Sequence, residues 1–93
     1  MVAVRIYGQK GCAHTLATLD QLKALAIPYE YVDIGDDDSA ARQVEDWNGG
    51  KRLTPTVALL SGERLTVLTV PSAAELEAQL SRLGALAESV PPA

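Results

Sequence analysis

The first third of the chain restricts the fold more than any other part, because it reads as strand, helix, strand. Val2 to Tyr7 is a β-branched and aromatic run, and Gly8 to Gly11 punctuates it, as expected of a strand that ends in a glycine turn. A helix should follow the turn, with Leu16, Leu19, Leu22 and Ala26 as one apolar stripe and Asp20 and Lys23 on the wet side. Pro28 stops that helix, and Tyr29 to Ile34 forms a second strand with Val32 and Ile34 on one face and Tyr29, Tyr31 and Asp33 on the other. Two strands joined through a helix run parallel and close through a right-handed crossover, which leaves few topologies open.

The remaining elements continue the pattern. Asp36, Asp37, Asp38 and Ser39 combine N-capping oxygens with negative charge at a helix start, and Ala40, Val44 and Trp47 supply the apolar stripe behind them. Asn48-Gly49-Gly50 ends the helix, and Lys51 to Thr54 leads to Pro55. Thr56 to Leu60 and Leu65 to Val70 flank Ser61-Gly62-Glu63 as an antiparallel hairpin. Ser72-Ala73-Ala74-Glu75 has the capping-box pattern, ahead of Leu76, Leu80 and Leu83 on a last helix that Gly84 terminates. The order is βαβαββα. It gives a four-stranded mixed sheet with helices on both faces, in one domain over residues 1–93 with an ordered core of about 2–88 and a frayed Pro91-Pro92-Ala93 tail.

With 47% hydrophobic and 22% charged residues, the chain has a globular composition, and no apolar run approaches the roughly 18 residues a membrane span needs. A net charge of -4 argues against a nucleic-acid surface, which rests on clustered Lys and Arg; only Lys10, Lys51 and Arg52 make a basic spot. One cysteine closes no internal disulfide, and one Cys with one His assembles neither a zinc finger nor an iron-sulfur site within a single chain. The N-terminus is too short and strand-like for a secretory signal, so a reducing cytoplasm is the expected home.

Cys12 stands directly after the strand and glycine turn, at the mouth of the first helix. There, unpaired backbone N–H groups and the positive end of the helix dipole favour thiolate over thiol. A buried, inert cysteine is the alternative, but the Gly11 and Ala13 flanks resemble a turn more than a core stripe. Thr15 can aim its hydroxyl at the sulfur or remain an ordinary first-turn residue. His14 can bring a titrating charge to the sulfur or face solvent. Pro55, between a Gly-rich loop and a buried strand, is placed for a cis Thr54-Pro55 bond beside Cys12.

Several segments in this order resemble the glutaredoxins: Tyr7-Gly8-Gln9-Lys10-Gly11-Cys12-Ala13-His14-Thr15, Ile27 to Ile34, Asn48-Gly49-Gly50, Thr54-Pro55-Thr56-Val57 and Pro71-Ser72-Ala73. Bacterial mycoredoxin-like members are the nearest in style, and the match runs from Val4 to about Leu80. The resemblance implies a thioredoxin-like α/β fold and a Cys12 that attacks mixed disulfides. It implies that Leu53-Thr54-Pro55 offers backbone to the cysteinyl part of a small thiol, that Arg52 and Lys10 attract its carboxylates, and that Ser72 and Ala73 receive another carboxylate at the last helix N-terminus. The co-substrate is a low-molecular-weight thiol of the glutathione, mycothiol or bacillithiol type, the partners are proteins carrying mixed disulfides, and a monomer is expected.

Departures from the family pattern matter equally. Thr15 takes the place of a second Cys, so a dithiol cycle is impossible, and Ala13-His14 replaces the family's Pro-aromatic pair. The Cys-Gly-Phe-Ser signature of cluster-binding relatives is absent, and Val70-Pro71-Ser72 stands where those relatives have Gly-Gly and Asp. The leading expectation is a monothiol thiol-disulfide oxidoreductase, with Cys12, Thr15 and His14 at the reacting centre. Three alternatives stay open: a non-catalytic binding or redox-sensing module, an iron-sulfur carrier that takes Cys12 from two chains, and a relative of the arsenate reductases. Those reductases carry an extra helical insertion for which this chain is too short.

Overall fold

A computed structural model describes residues 2–85 of the protein. Its elements are β1 (Val2–Gly8), α1 (Ala13–Ala24), β2 (Glu30–Asp33), α2 (Asp38–Trp47), β3 (Thr56–Ser61), β4 (Arg64–Thr69) and α3 (Ala73–Arg82). The strands make one sheet in the order β2-β1-β3-β4. β1 runs parallel to β2, while the β1–β3 and β3–β4 pairs are antiparallel. The α/β sheet and its topology are those expected. The expected tail at Pro91-Pro92-Ala93 and the core boundary near residue 88 lie outside the described residues.

Strand alternation distributes the core over both faces of the sheet. On one face Val4 and Ile6 of β1, Val57 and Leu59 of β3 and Leu68 of β4 pack with Leu22 of α1 and with Leu76 and Leu80 of α3. On the other, Tyr7, Ile34 and Ala58 pack with Ala40, Ala41 and Val44 of α2, and Trp47 meets Tyr7 edge to face at a centroid distance of 5.4 Å. α1 and α3 therefore share a face, and their N-termini are the candidates for one common site.

Two caps behave as their sequences imply. Asp37 accepts from the Ala40 N–H at the start of α2, and Ser72 Oγ accepts from the Glu75 N–H at 3.1 Å at the start of α3. Past Arg82 the chain turns through Leu83 into Gly84 at φ 75°, the left-handed position a helix terminator needs.

The α1 stripe needs correction. Its buried residues are Thr15, Thr18 and Leu22, whereas Leu16 is 59% exposed and Ala26 lies beyond the helix at φ 56°. Thr18 tolerates burial because its hydroxyl donates to the His14 carbonyl one turn back, at 3.0 Å. The helix therefore sits with threonines inward where hydropathy places leucine.

Candidate functional site

Cys12 is the N-cap of α1, with extended backbone at φ −84° and ψ 109°. An N-cap side chain faces the free N–H groups of the first turn, here those of His14 and Thr15. As a thiol the sulfur makes no capping bond; as a thiolate it is the acceptor those amides lack. Across the cleft lies the segment before β3, in which the Thr54-Pro55 bond is cis. Thr54 Oγ1 donates to Cys12 Sγ at 3.6 Å, and the thiol can donate to the Thr54 carbonyl at 3.8 Å.

These donors lower the Cys12 pKa to about 7, against about 8.5 for a free thiol. The Thr15 hydroxyl contributes most, followed by the Thr54 hydroxyl and the Thr15 N–H; burial opposes them, and the His14 N–H adds a smaller lowering. In the structure Thr15 Oγ1 is buried and satisfies no strict hydrogen-bond geometry with any neighbour. The thiolate is a far stronger acceptor than a thiol, and the Thr15 hydroxyl is a donor beside it that is committed to no other group. The lowering comes from hydrogen bonds and not from a neighbouring cation.

The Thr54 segment is held from three sides. The Val70 N–H donates to the Pro55 carbonyl at 2.8 Å. Thr56 Oγ1 donates to the Leu53 carbonyl at 2.7 Å and accepts from Asn48 Nδ2 at 3.2 Å. Thr69 in turn donates to Asn48 Oδ1. Sequence reasoning read Asn48 only as a helix terminator, and it is also the tie between α2 and the hairpin.

α3 begins beside α1. His14 Nε2 donates to the Pro71 carbonyl at 2.8 Å, and Gln21 Nε2 donates to the Ala73 carbonyl at 2.7 Å. Through these bonds Ser72 and Ala73 lie on the Cys12 side of the sheet. The His14 ring thus holds Pro71, while its backbone N–H serves the sulfur. Lys10 is exposed on the loop two residues before Cys12, and Arg52 is exposed with its Nε donating to Glu45 Oε2 at 2.7 Å. The structure therefore gathers Cys12, Thr15, Thr54 and Pro55 tightly, holds His14, Ser72 and Ala73 at one end, and leaves Arg52 shared with an acidic neighbour.

Sequence reasoning missed Gly8 and Tyr31. A side chain on Gly8 would collide with Thr15 of α1 and Tyr31 of β2, so the bare end of β1 is the place where these two side chains come together. A cleft of about 430 Å³ also opens on the α2 face, among Tyr7, Trp47, Ala58, Leu60 and Leu65, without Cys12. Among the described residues no helix is long and apolar enough to cross a membrane, and no three His, Cys, Asp or Glu side chains gather to hold a metal ion.

A family model for glutaredoxin matches residues 4–64, more than half of the chain. The chain belongs to the glutaredoxin family. This glutaredoxin shares its fold with solved structures that include a mutant of the thioredoxin-like protein BC3987, at TM-score 0.66 and 26% identity over 83% of this chain and 97% of that one. Glutaredoxin from Brucella melitensis matches at TM-score 0.65 and 15% identity, over 99% and 96% of the two chains. Maleylacetoacetate isomerase from Anaeromyxobacter dehalogenans 2CP-1, solved with dicarboxyethyl glutathione and citrate in its active site, matches at TM-score 0.60 and 19% identity, over 99% of this chain and 41% of that one. No curated protein matches the chain. Membership of the family assigns it a general role in thiol redox chemistry related to glutathione.

Proposed function

We propose that this glutaredoxin is a monothiol oxidoreductase that reduces mixed disulfides between proteins and a low-molecular-weight thiol. The observation that carries this reading is a single thiol at a helix N-cap, lowered to about 7 by donors from the start of α1 and from the Thr54 segment. At pH 7 about half of such a thiol is ionised, roughly fifteen times the thiolate of a free cysteine. The lowered pKa also makes Cys12 a good leaving group in the second half of the cycle.

In the first step the Cys12 thiolate attacks the small-thiol sulfur of the mixed disulfide. The protein–sulfur bond breaks, and the protein departs as a thiolate that takes up a proton. Cys12 is left disulfide-bonded to the small thiol. A second small-thiol thiolate then attacks the small-thiol sulfur, which releases the Cys12 thiolate and a symmetric small-molecule disulfide. Thr54 aligns the backbone of the small thiol, Lys10 and Arg52 draw its carboxylates, and Ser72 and Ala73 offer a further carboxylate the start of α3. His14 supports the centre by fixing Pro71 and by its own N–H.

Glutathione is the first small thiol to test, given the isomerase relative that holds a glutathione derivative, with the mycothiol and bacillithiol types next. We place the protein in a reducing cytoplasm, acting as a monomer. The test compares glutathione mixed disulfides with insulin, for native protein and for Cys12→Ser. Native protein should turn over the mixed disulfide and leave insulin intact, because no second thiol exists to release a protein–Cys12 intermediate. Cys12→Ser should do neither. Efficient insulin reduction, or inactivity with all three small-thiol types, would overturn the proposal.

A further inference from the structure

Gly8 ends β1, and the space beside its bare α-carbon is filled from two directions. A methyl built there would overlap Thr15 Cγ2 and stand 2.9 Å from Tyr31 Cε1 and 3.1 Å from Thr15 Oγ1. The Thr15 methyl and the Tyr31 ring lie closer than real Cβ atoms tolerate and the Thr15 hydroxyl is tight, so the two side chains use the space that any other residue at position 8 would need. Tyr31 reaches this point from β2, where it pairs in register with Ile6, and its own hydroxyl is tethered to Asp33 Oδ2 at 3.4 Å. Thr15 is 1% exposed, and its hydroxyl makes no hydrogen bond.

A threonine in a helix has two accessible rotamers, one of which turns the hydroxyl back to a carbonyl of the preceding turn. Thr18 adopts that back-bonded arrangement, and Thr15 does not. Position explains part of the difference: Thr18 has the His14 carbonyl one turn back inside the helix, whereas Thr15 stands in the first turn and the residue four before it is Gly11, outside the helix. Packing supplies the rest: Thr15 occupies the space a side chain on Gly8 would need, beside Tyr31.

We propose that Tyr31 is a positioning residue for Cys12, holding Thr15 against the bare α-carbon of Gly8 so that the Thr15 hydroxyl serves the sulfur. The proposal rests on the reading of Cys12 as a working thiolate. Tyr31 itself feels the site, because the Cys12 charge is one of the influences that raise the phenol pKa, behind burial and the neighbouring Asp33 and Asp36. Tyr31 supplies the wall and Thr15 the proton donor.

The experiment is the pH dependence of thiolate absorbance in reduced protein, for native, Tyr31→Phe, Tyr31→Ala, Thr15→Val and the Thr15→Val/Tyr31→Ala pair. Circular dichroism checks that each variant is folded. Thr15→Val and Tyr31→Ala should each raise the Cys12 pKa by about one unit, which cuts the thiolate at pH 7 about fivefold. The double variant should go no further than Thr15→Val, since Tyr31 acts through Thr15. Tyr31→Phe keeps the ring and should titrate as native. A lowered native pKa that Tyr31→Ala leaves unmoved would overturn the positioning role alone, as would an equal extra rise from Tyr31→Ala in the Thr15→Val background. A native thiol titrating at the ordinary value would overturn the thiolate reading as well. Should Tyr31→Ala fail to fold, Gly8→Ala presses on the same Thr15 methyl from the other side. It should raise the pKa likewise, with Thr15→Ser, which lacks that methyl, restoring part of the loss; no rise in Gly8→Ala would overturn the proposal.

Discussion

Val70 holds a backbone φ of 45°, in the left-handed region that β-branched residues avoid. The conformation turns the chain out of β4 so that the Val70 N–H reaches the Pro55 carbonyl and the Pro71 carbonyl reaches His14. Strain of about 1–3 kcal/mol is thereby held at the junction that joins Thr54, α1 and α3. Glycine removes the strain but loses a half-buried side chain and gains unfolded-state entropy, effects that nearly cancel it. Val70→Gly should therefore change unfolding free energy by less than about 1 kcal/mol in urea melts, where the same change in an ordinary strand position costs more. A loss above about 2 kcal/mol would show that the valine side chain, and not the backbone bend, is what the junction requires.

At the scale of elements, the sequence carried the order of strands and helices, both acidic and serine caps, the hairpin and the cis Thr54-Pro55 bond beside Cys12. Period-2 alternation and turn glycines determine these locally. The face of α1 was not legible, because its buried threonines satisfy themselves within the fold and hydropathy ranks them below Leu16. Gly8 and Tyr31 were invisible at the site for a related reason: a glycine that ends a strand reads as punctuation, and only the packed structure shows two side chains occupying its missing Cβ. The corrected α1 register makes a sharp prediction. Leu16→Ala should shift stability by at most about 0.5 kcal/mol, while Leu22→Ala, fully buried between α1 and the sheet, should cost about 2–5 kcal/mol. Equal losses at the two positions would restore the leucine stripe that the structure denies.

For the molecule as a whole, the same hydrogen bonds that activate Cys12 tie folding stability to pH. The thiol titrates at about 7 in the folded protein, and at about 8.5 once unfolding removes its donors. Between these values the unfolded chain binds more protons than the folded one, so stability rises with pH across that window. The increment is fully present above the unfolded value and is lost as pH falls through 7. Tyr31 is raised above its usual range, so its opposite contribution is lost only at more alkaline pH, outside the window. The Cys12 shift corresponds to at most about 2 kcal/mol, reduced by solvent screening at a half-buried sulfur. Urea melts under reducing conditions at pH 6 and pH 9 isolate the effect when native protein is compared with Cys12→Ser. The native protein should gain stability relative to the variant on going to pH 9, by about 1–2 kcal/mol. Parallel pH profiles for the two proteins would mean that folding does not favour the thiolate, and the donors gathered around Cys12 would then lack the energetic role the geometry gives them.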